Sequence, residues 1–424
     1  NDNFLLVVRN QQTVESEVIT PIGIRSLPED SYQVVEIDIS GNIISQRQFE
    51  FRNLSGATRY VAPLFLLDDN DRLNLAFIAN EPIVFIHDLE EERVETANAN
   101  SDNNYLAFYR FDESGNLDEA FGVPLNGDAR NYLMGFKISS EQFYFLYAIK
   151  NGPSTNGCDG DDLTQWVDVY DVLGNRVKSK SFSAQNDGGS DGRSNCGFLV
   201  ERFNIDPEGN IYMTGYINGG FSTDLSPDLT LDMGNRSGNA LYNGFLIKLD
   251  NELEYQWFRA QPGALGSSST PKFLSNGDVL FFMNMLNGHT YELIGTTLKY
   301  RIRDFIVTNF TFTNYISLTR LDSDGNPKWV NFFESSTSNY VVDDSDNVWI
   351  SIANNGTSFL NKTYYYDKDR KALPLSNPKM NDANRFYGYL VISPEGEYLD
   401  HNFIKNLSLG MYDLIGTSLN VTLL

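Results

Sequence analysis

The stretch from Phe198 to Ala260 reads FLVERFNIDPEGNIYMTGYINGGFSTDLSPDLTLDMGNRSGNALYNGFLIKLDNELEYQWFRA and contains two candidate β-hairpins. The first, ERFNIDPEGNIYMTGY (201–216), turns at Pro-Glu-Gly-Asn, and the second, NGFLIKLDNELEYQWFRA (243–260), turns at Asp-Asn-Glu. In both, β-branched and aromatic residues flank turn-forming residues, which is the pattern of a strand, a turn and a second strand. The stretch therefore predicts a unit of four antiparallel strands.

Related hairpins recur along the chain. With Asp206 as the marker of the first hairpin and Asp250 as the marker of the second, each type recurs five more times at a period of about 70 residues. The first type recurs at Asp68, Ser139, Leu274, Asp343 and Asp413, and the second at Asp38, Asp112, Asp171, Asp322 and Ser393. Two interleaved series of one period indicate a repeated four-stranded unit.

Four-stranded units repeated around one axis are typical of a β-propeller. Six units of about 70 residues account for a chain of 424 residues, so we predict an all-β fold with one six-bladed propeller domain over 1–424. The blades are expected near 52–124, 125–185, 197–261, 267–334 and 336–404, with a closing blade formed by 405–424 and 1–51. Pairing the N- and C-terminal segments in that blade would remove the open sheet edges. The segment Phe4–Val8 either adds a strand to the closing blade or begins a seventh blade, so seven blades is the alternative.

The charge of the chain limits its partners. The net charge is −24, from 56 acidic and 32 basic residues, which argues against nucleic acid as a ligand because nucleic-acid binding depends on basic surfaces. Acidic surfaces also disfavour adsorption to anionic lipid. The sequence contains no apolar run of about 18 residues, so no transmembrane helix is predicted. Asn1-Asp2-Asn3 is typical of a processed N-terminus, from which a secretion signal or lipid-bearing cysteine has been removed.

Candidate ligand contacts fall in the long links between the second and third strands of the units. These links are predicted to share one face of the disc, and variable loops on a rigid scaffold are common binding sites. Aromatic side chains that could stack on sugars or peptides occur there, namely Trp166, Tyr300, Tyr364, Tyr365 and Tyr366. The alternative is that these rings pack the links against the sheets.

Two cysteines and a short acidic run suggest further sites. Cys158 and Cys196 are placed on the same face by the repeat, and two cysteines in an extracytoplasmic chain favour a disulfide over two free thiols. Asp159, Asp161 and Asp162 lie away from the repeat turns and are the candidate calcium ligands.

Motifs for catalysis are not found in the sequence. The histidines, His87, His289 and His401, occupy unrelated positions in the repeat, which argues against a multi-histidine metal centre. A Gly-x-Ser-x-Gly elbow and a phosphate-binding loop are both missing from the sequence. Carboxylates are so frequent that a glycosidase-like pair cannot be located. The acidic runs at Asp322 and Asp343 stand at repeat turns, where Asp and Gly serve backbone geometry.

The region 209–261 resembles the bacterial β-propeller repeat called SBBP. That repeat has a Gly-Asn strand, a Thr-Gly turn, an acidic loop and a Phe-aliphatic-Lys-Leu-Asp hairpin that ends in Trp. The matching residues are Gly209, Asn210, Tyr212, Thr214, Gly215, Asp224, Phe245, Lys248, Leu249, Asp250 and Trp257. The resemblance covers about one blade, with the second half repeated at 316–329, and implies a secreted or surface protein of Bacteroidota or relatives. It supplies no catalytic residues.

These observations together predict a non-catalytic, extracytoplasmic propeller that acts as a binding or assembly module. By the resemblance, it is expected to be a surface lipoprotein subunit of an outer-membrane uptake or secretion complex, with a protein partner and a glycan or peptide ligand. Apart from calcium, no cofactor is predicted. The alternative is a propeller-fold hydrolase or lyase acting on glycans or peptides, and a third option is a purely structural piece.

Overall fold

The computed structural model describes most of the chain as strands and tight turns. The described residues are 4–9, 16–20, 23–27, 31–37, 42–53, 62–68, 70, 72–79, 83–87, 90–94, 104–112, 114–125, 131–150, 163–186, 198–217, 221–223, 230–231, 243–261, 264–286, 290–301, 314–334, 339–354, 362–376, 386–405 and 421–423. Within these ranges the secondary structure is β throughout. A helix long and apolar enough to cross a membrane does not occur in them.

The described strands run from β1 near the N-terminus to β35 near the C-terminus. In the first half of the chain they are β1 (Phe4–Arg9), β2 (Ser16–Thr20), β3 (Gly23–Leu27), β4 (Tyr32–Ile37), β5 (Ile43–Asn53), β6 (Leu64–Leu67), β7 (Leu73–Ala79), β8 (Ile83–His87), β9 (Glu90–Val94), β10 (Asn104–Phe111), β11 (Leu117–Leu125), β12 (Asn131–Ser139), β13 (Gln142–Lys150), β14 (Leu163–Tyr170), β15 (Arg176–Asn186), β16 (Phe198–Ile205) and β17 (Ile211–Ile217). In the second half they are β18 (Phe221–Thr223), β19 (Thr230–Leu231), β20 (Asn243–Leu249), β21 (Tyr255–Gln261), β22 (Ala264–Ser268), β23 (Lys272–Phe273), β24 (Val279–Leu286), β25 (Thr290–Glu292), β26 (Lys299–Arg301), β27 (Asn314–Leu321), β28 (Pro327–Glu334), β29 (Asn339–Val342), β30 (Val348–Asn354), β31 (Lys362–Tyr366), β32 (Ala372–Ser376), β33 (Phe386–Ile392), β34 (Tyr398–Lys405) and β35 (Val421–Leu423).

The strands form antiparallel sheets, several of them four-stranded. The sheet orders are β35-β1-β4-β5-β8-β9, β11-β10-β7-β6, β12-β13-β14-β15-β18-β19, β16-β17-β20-β21, β22-β24-β27-β28-β31-β32 with β23 also on β24, and β29-β30-β33-β34; β2-β3 and β25-β26 are separate pairs. The all-β class and the four-stranded antiparallel sheets are therefore confirmed. The segment Phe4–Arg9 joins the sheet of β4 and β5, and its other edge pairs with β35.

The chain divides into two compact units. One comprises Asn1–Gly152, Asp168–Val177 and Ser408–Leu424, and the other comprises Pro153–Val167 and Lys178–Leu407. In the first unit, a cluster of aromatic side chains that includes Phe49, Phe51, Phe77 and Phe85 forms a core in which each of these rings is fully buried. The second unit has two comparable cores, one around Tyr212 and Phe281 and one around Phe282 and Tyr340.

Several of the described repeat markers lie at the turns of hairpins with one shared geometry, whereas Ser139 lies at a two-residue turn. At Asp112, for example, the backbone N–H donates to the carbonyl of Asn116, and the N–H of Gly115 donates back to the carbonyl of Asp112. Gly115 has a φ of 94°, the left-handed conformation that glycine adopts most readily. This is a three-residue hairpin loop with a glycine bulge, and it explains the Asp-x-x-Gly-Asn spacing.

A second bulge follows each turn of the second hairpin type. In β34, Ile392 pairs with Tyr398 and Val391 pairs with Asp400, which leaves Leu399 as an extra residue. Equivalent shifts occur in the pairs β4–β5, β10–β11, β20–β21 and β27–β28. The extra residue points outward, which accounts for the 52% and 49% exposure of Ile44 and Leu399.

The long links between second and third strands also contain hairpins. The pair β31–β32 adds to β28, the pair β8–β9 adds to β5, and the pair β18–β19 adds to β15. Each of these hairpins lies in the link of one repeat and extends the last strand of the preceding repeat, so it covers an otherwise open sheet edge. These three links are therefore paired hairpins, because backbone groups in a long link find partners on the neighbouring edge.

Candidate active site

A tyrosine and a histidine meet on the last strand of the sheet β29-β30-β33-β34. The hydroxyl of Tyr398 lies 2.6 Å from Nδ1 of His401, and the two rings are 5.7 Å apart. Both residues are half-buried, so they are held in place by packing and still reach solvent. A phenol and an imidazole in direct hydrogen-bond contact can pass a proton between them.

The bulge at Leu399 creates this pair. Residues three apart in a regular strand point to opposite faces of the sheet. Because Leu399 is extra, Tyr398 pairs with Ile392 and His401 pairs with Leu390, two residues that share one face and are fully buried. Both functional side chains therefore stand on the core side of the edge strand.

The surroundings of the pair come from the hairpin β31–β32. The ring of Tyr365 lies 6.2 Å from that of Tyr398, and Nζ of Lys368 lies 3.4 Å from Oε1 of Glu397, the residue before Tyr398. Burial, and secondarily the Asp400 carboxylate, raises the pKa of the Tyr398 phenol. Like an ordinary tyrosine, Tyr398 therefore carries its proton at neutral pH.

The opposite face of the same sheet carries a different group of side chains. Trp349 is 39% exposed, donates from Nε1 to Asp343 at 2.8 Å, and has its ring centroid 5.3 Å from that of Tyr389. The Tyr389 hydroxyl donates to Asp400 at 3.4 Å. Asp400 thus faces away from the Tyr398–His401 pair, because it pairs with Val391.

Two of the predicted ligand contacts lie in the protein interior. Tyr365 and Tyr366 are fully buried on β31, where Tyr365 donates to the carbonyl of Gly396 at 3.0 Å and accepts from Asn331 at 2.7 Å. The Tyr365 ring also stacks against Phe333. Neither ring is open to a ligand from solution, since each packs the link hairpin against the sheet.

The remaining predicted contacts are dispersed. Trp166 is half-buried on β14, Tyr300 lies on β26 opposite Tyr291, and Tyr364 lies on β31 opposite Pro374. The structure does not bring these three residues together with Tyr398.

The predicted calcium ligands and disulfide lie outside the described residues. These are Asp159, Asp161, Asp162, Cys158 and Cys196. Across the described ranges, no three His, Cys, Asp or Glu side chains are arranged to hold a metal ion.

Sequence reasoning overlooked the pairing of Tyr398 with His401. The histidines were compared only with one another, and His401 has no repeat equivalent. The available signal was the hairpin marker at Ser393, because a bulge after that turn places Tyr398 and His401 on one face.

Comparison with known proteins yields structural similarities only. Family models and curated sequences give no match. A variant of the Synechocystis apocarotenoid oxygenase aligns over 90% of this chain and 72% of its own, with a TM-score of 0.36 and 10% identity. A cobalt-substituted form of the same enzyme aligns over 95% and 93%, with a TM-score of 0.32 and 9% identity. The extracellular domain of a one-component system from B. thetaiotaomicron aligns over 96% and 72%, with a TM-score of 0.20 and 12% identity.

These comparisons correct one prediction. The expectation of a non-catalytic module is wrong by this comparison, because the first structures found are those of an oxygenase, and they favour the enzymatic alternative. They accord with an all-β, propeller-like fold and with no particular repeat family. At TM-scores of 0.36 and below, no substrate, metal or residue role is transferred to this chain.

The cobalt in one of these enzymes bears on the predicted cofactors. A metal is present in that protein, whereas calcium alone was expected here. At a TM-score of 0.32 that metal is not carried over to this chain, and within the described ranges no group of three His, Cys, Asp or Glu residues could hold an ion.

Proposed function

We propose that this chain is an enzyme that cleaves glycans, with Tyr398 and His401 as its proton-transfer pair. The observation that carries the proposal is the 2.6 Å contact between the Tyr398 hydroxyl and His401 Nδ1 on an accessible edge strand. Cleavage of a glycosidic bond requires a proton for the departing oxygen and a group that accepts a proton elsewhere. A protonated phenol beside an imidazole supplies both.

The same pair is less suited to cleaving peptides. Peptide hydrolysis by a side chain needs an activated nucleophile and donors that stabilise an oxyanion. A protonated phenol is a weak nucleophile, whereas its proton can be donated to a leaving oxygen. Glycans are therefore favoured over peptides as the substrate.

The test is turnover of a glycan panel by the full chain and by two variants. Tyr398→Phe and His401→Ala should each lower kcat by about 10²-fold or more, the usual contribution of general acid–base catalysis. Tyr389→Phe is the matched control, because it removes a half-buried hydroxyl from the opposite face of the same sheet and should leave kcat unchanged. Absence of turnover on the whole panel, or equal activity in all variants, would refute the proposal.

We also infer that the repeats form one six-bladed propeller domain that works outside the cytoplasm. The inference is supported by six sets of four strands in the described sheets and by the antiparallel pairing of β1 with β35. Electron microscopy of the full chain should show six blades. Mass spectrometry of unreduced peptides should find Cys158 joined to Cys196, and two free thiols would count against an oxidising location.

A further inference from the structure

The turn that joins β31 to β32 carries basic side chains, and one of them contacts Glu397, the residue before Tyr398. The hairpin is fixed by pairing of Tyr365 and Tyr366 with β28, and the Tyr365 ring lies 6.2 Å from the Tyr398 ring. Three residues beyond Tyr365, Lys368 reaches Glu397, whose Oε1 lies 3.4 Å from the ammonium. The turn therefore stands beside the start of β34.

The turn is positive in a strongly negative protein. Within 367–371, three basic side chains face two acidic ones, whereas the whole chain has a net charge of −24. One of those acids, Asp367, is occupied by the turn itself, because its Oδ1 accepts from the N–H groups of Asp369 and Lys371 at 3.0 and 2.8 Å. Arg370 and Lys371 are exposed.

We propose that the substrate is a glycan containing uronic acid, which the Tyr398–His401 pair cleaves by β-elimination while Lys368 binds the uronate carboxylate. This inference rests on the proposed function and names its substrate class. Glu397 is the internal partner of Lys368, and its carboxylate occupies the position that a substrate carboxylate would take. With a side-chain exposure of 65%, Glu397 is free to move aside.

The elimination balances with these groups alone. His401 takes the proton from C5 of the uronate, and the electron pair of that C–H bond forms the C4=C5 double bond. The C4–O bond breaks, and its oxygen takes the proton of the Tyr398 hydroxyl. The proton on His401 then returns to the Tyr398 oxygen through their direct hydrogen bond, which restores both side chains. A cation at the carboxylate stabilises the negative charge that develops when C5 loses its proton.

Hydrolysis fits the site less well. Glycoside hydrolysis normally uses two carboxyl groups that flank the bond and a water molecule. Asp400 is adjacent in sequence but faces the other side of the sheet, where Tyr389 donates to it. The pair itself supplies a phenol and an imidazole, and the ammonium of Lys368 lies beside Glu397, the residue before Tyr398.

The experiment compares polygalacturonate with its carboxyl-reduced, neutral counterpart, using the full chain. Elimination yields a conjugated product that absorbs in the ultraviolet and whose mass lacks an added water. Lys368→Met should raise KM for polygalacturonate about 10-fold with little change in kcat, because it removes a binding contact. Glu397→Gln should lower KM, because it removes the competing carboxylate. Lys180→Met is the matched control, since Lys180 also pairs with a glutamate, Glu254 at 3.6 Å, and should have no effect.

The outcomes separate the two proposals. Ultraviolet-absorbing products that depend on His401 and Lys368 support both. Cleavage of neutral glycans that is lost in His401→Ala, with products that contain added water, overturns the uronate inference and leaves the proposed function standing. No cleavage of charged or neutral glycans overturns both.

Discussion

In the repeat turns at Asp112 and Asp171, a single aspartate carboxylate accepts several hydrogen bonds from within the turn. At Asp112 and at Asp171, Oδ1 accepts from the N–H four residues on and Oδ2 accepts from the amide of the asparagine at that position. These hydrogen bonds, from Asn116 and Asn175 first of all, lower the pKa of both aspartates. The aspartates at these turns therefore hold the turn conformation, and their carboxylate oxygens already accept hydrogen bonds from turn residues.

The turn aspartates make stability depend on pH in the acid range. Their pKa is lower in the folded chain than in the unfolded chain, where it is near 3.9, so their contribution is complete above that value and is lost as the pH falls through the lowered pKa. A double variant, Asp112→Ser with Asp171→Ser, should lose less unfolding free energy on acidification than the wild type. Serine is the matched replacement because Ser393 uses its hydroxyl at the equivalent turn. Urea unfolding between about pH 6 and pH 2 measures the difference, and identical acid sensitivity would contradict this account.

Two turn glycines differ in what surrounds them. A Cβ on Gly325 would lie 2.9 Å from the indole of Trp257, whereas a Cβ on Gly277 would meet nothing within 4 Å, and both residues have φ near 80°. Gly277→Ala should therefore cost only the left-handed conformation, about 1–2 kcal/mol. Gly325→Ala should cost about 1–3 kcal/mol more because of overpacking. Denaturant unfolding of the two variants measures the difference in their free energies of unfolding. Equal losses of stability would show that the close contact with Trp257 does not destabilise the Gly325 variant.

Among the strands and turns, contacts between successive repeats follow one pattern. The last strand of one repeat supplies a large side chain that packs on the turn of the next: Nε1 of Trp257 donates to the carbonyl of Ser323 at 3.0 Å, and Nε1 of Trp329 donates to that of Pro394 at 2.9 Å. The indole hydrogen bond and the close glycine fix how neighbouring sheets pack.

On β16, a glutamine side chain bonds to both backbone groups of one residue, as a neighbouring strand would. Gln165 donates from Nε2 to the carbonyl of Val200 at 3.1 Å and accepts from its N–H at 3.0 Å, beside the register shift between Val200 and Arg202. Gln165→Leu leaves both buried backbone groups of Val200 without these partners, at about 1–3 kcal/mol for each group.

The control for this change is Gln256→Leu, an exposed glutamine at a bulge, which should change stability by less than about 0.5 kcal/mol. Thermal and urea unfolding of both variants measure the difference. A Gln165 variant as stable as the wild type would mean that the backbone of Val200 finds other partners.

At the scale of the whole molecule, the two ends of the chain are joined in one sheet. Phe4, Leu5 and Leu6 of β1 pair with Leu423, Thr422 and Val421 of β35. Without β35, β1 would be an open edge strand with unpaired N–H and C=O groups.

Removal of residues 421–424 should therefore weaken the N-terminal sheet. Backbone amides of β1 are expected to exchange with solvent faster, and the truncated chain is expected to associate through the new edge. Hydrogen exchange with mass spectrometry measures the first effect and light scattering the second. A chain shortened by Leu424 alone is the control, since it keeps Val421, Thr422 and Leu423, the residues of β35 that pair with β1.

Local chemistry was sufficient for the sequence to determine the turns, the hairpins and the period. The spacing from Asp206 to Gly209 and Asn210 specifies a hairpin loop by itself, because carboxylate, left-handed glycine and asparagine act within five residues. The all-β class, the four-stranded sheets and the repeat could therefore be predicted from the sequence.

Only the tertiary structure decided which side chains meet. From the sequence, Tyr365 and Tyr366 could either contact a ligand or pack their link against the sheets, and pairing of their hairpin with the edge of β28 buries both rings. Tyr398 and His401 look unrelated in sequence, and a single extra residue at Leu399 puts them on one face, 2.6 Å apart. Burial and strand register depend on partners far along the chain, and a local pattern carries no information about a partner that it does not touch.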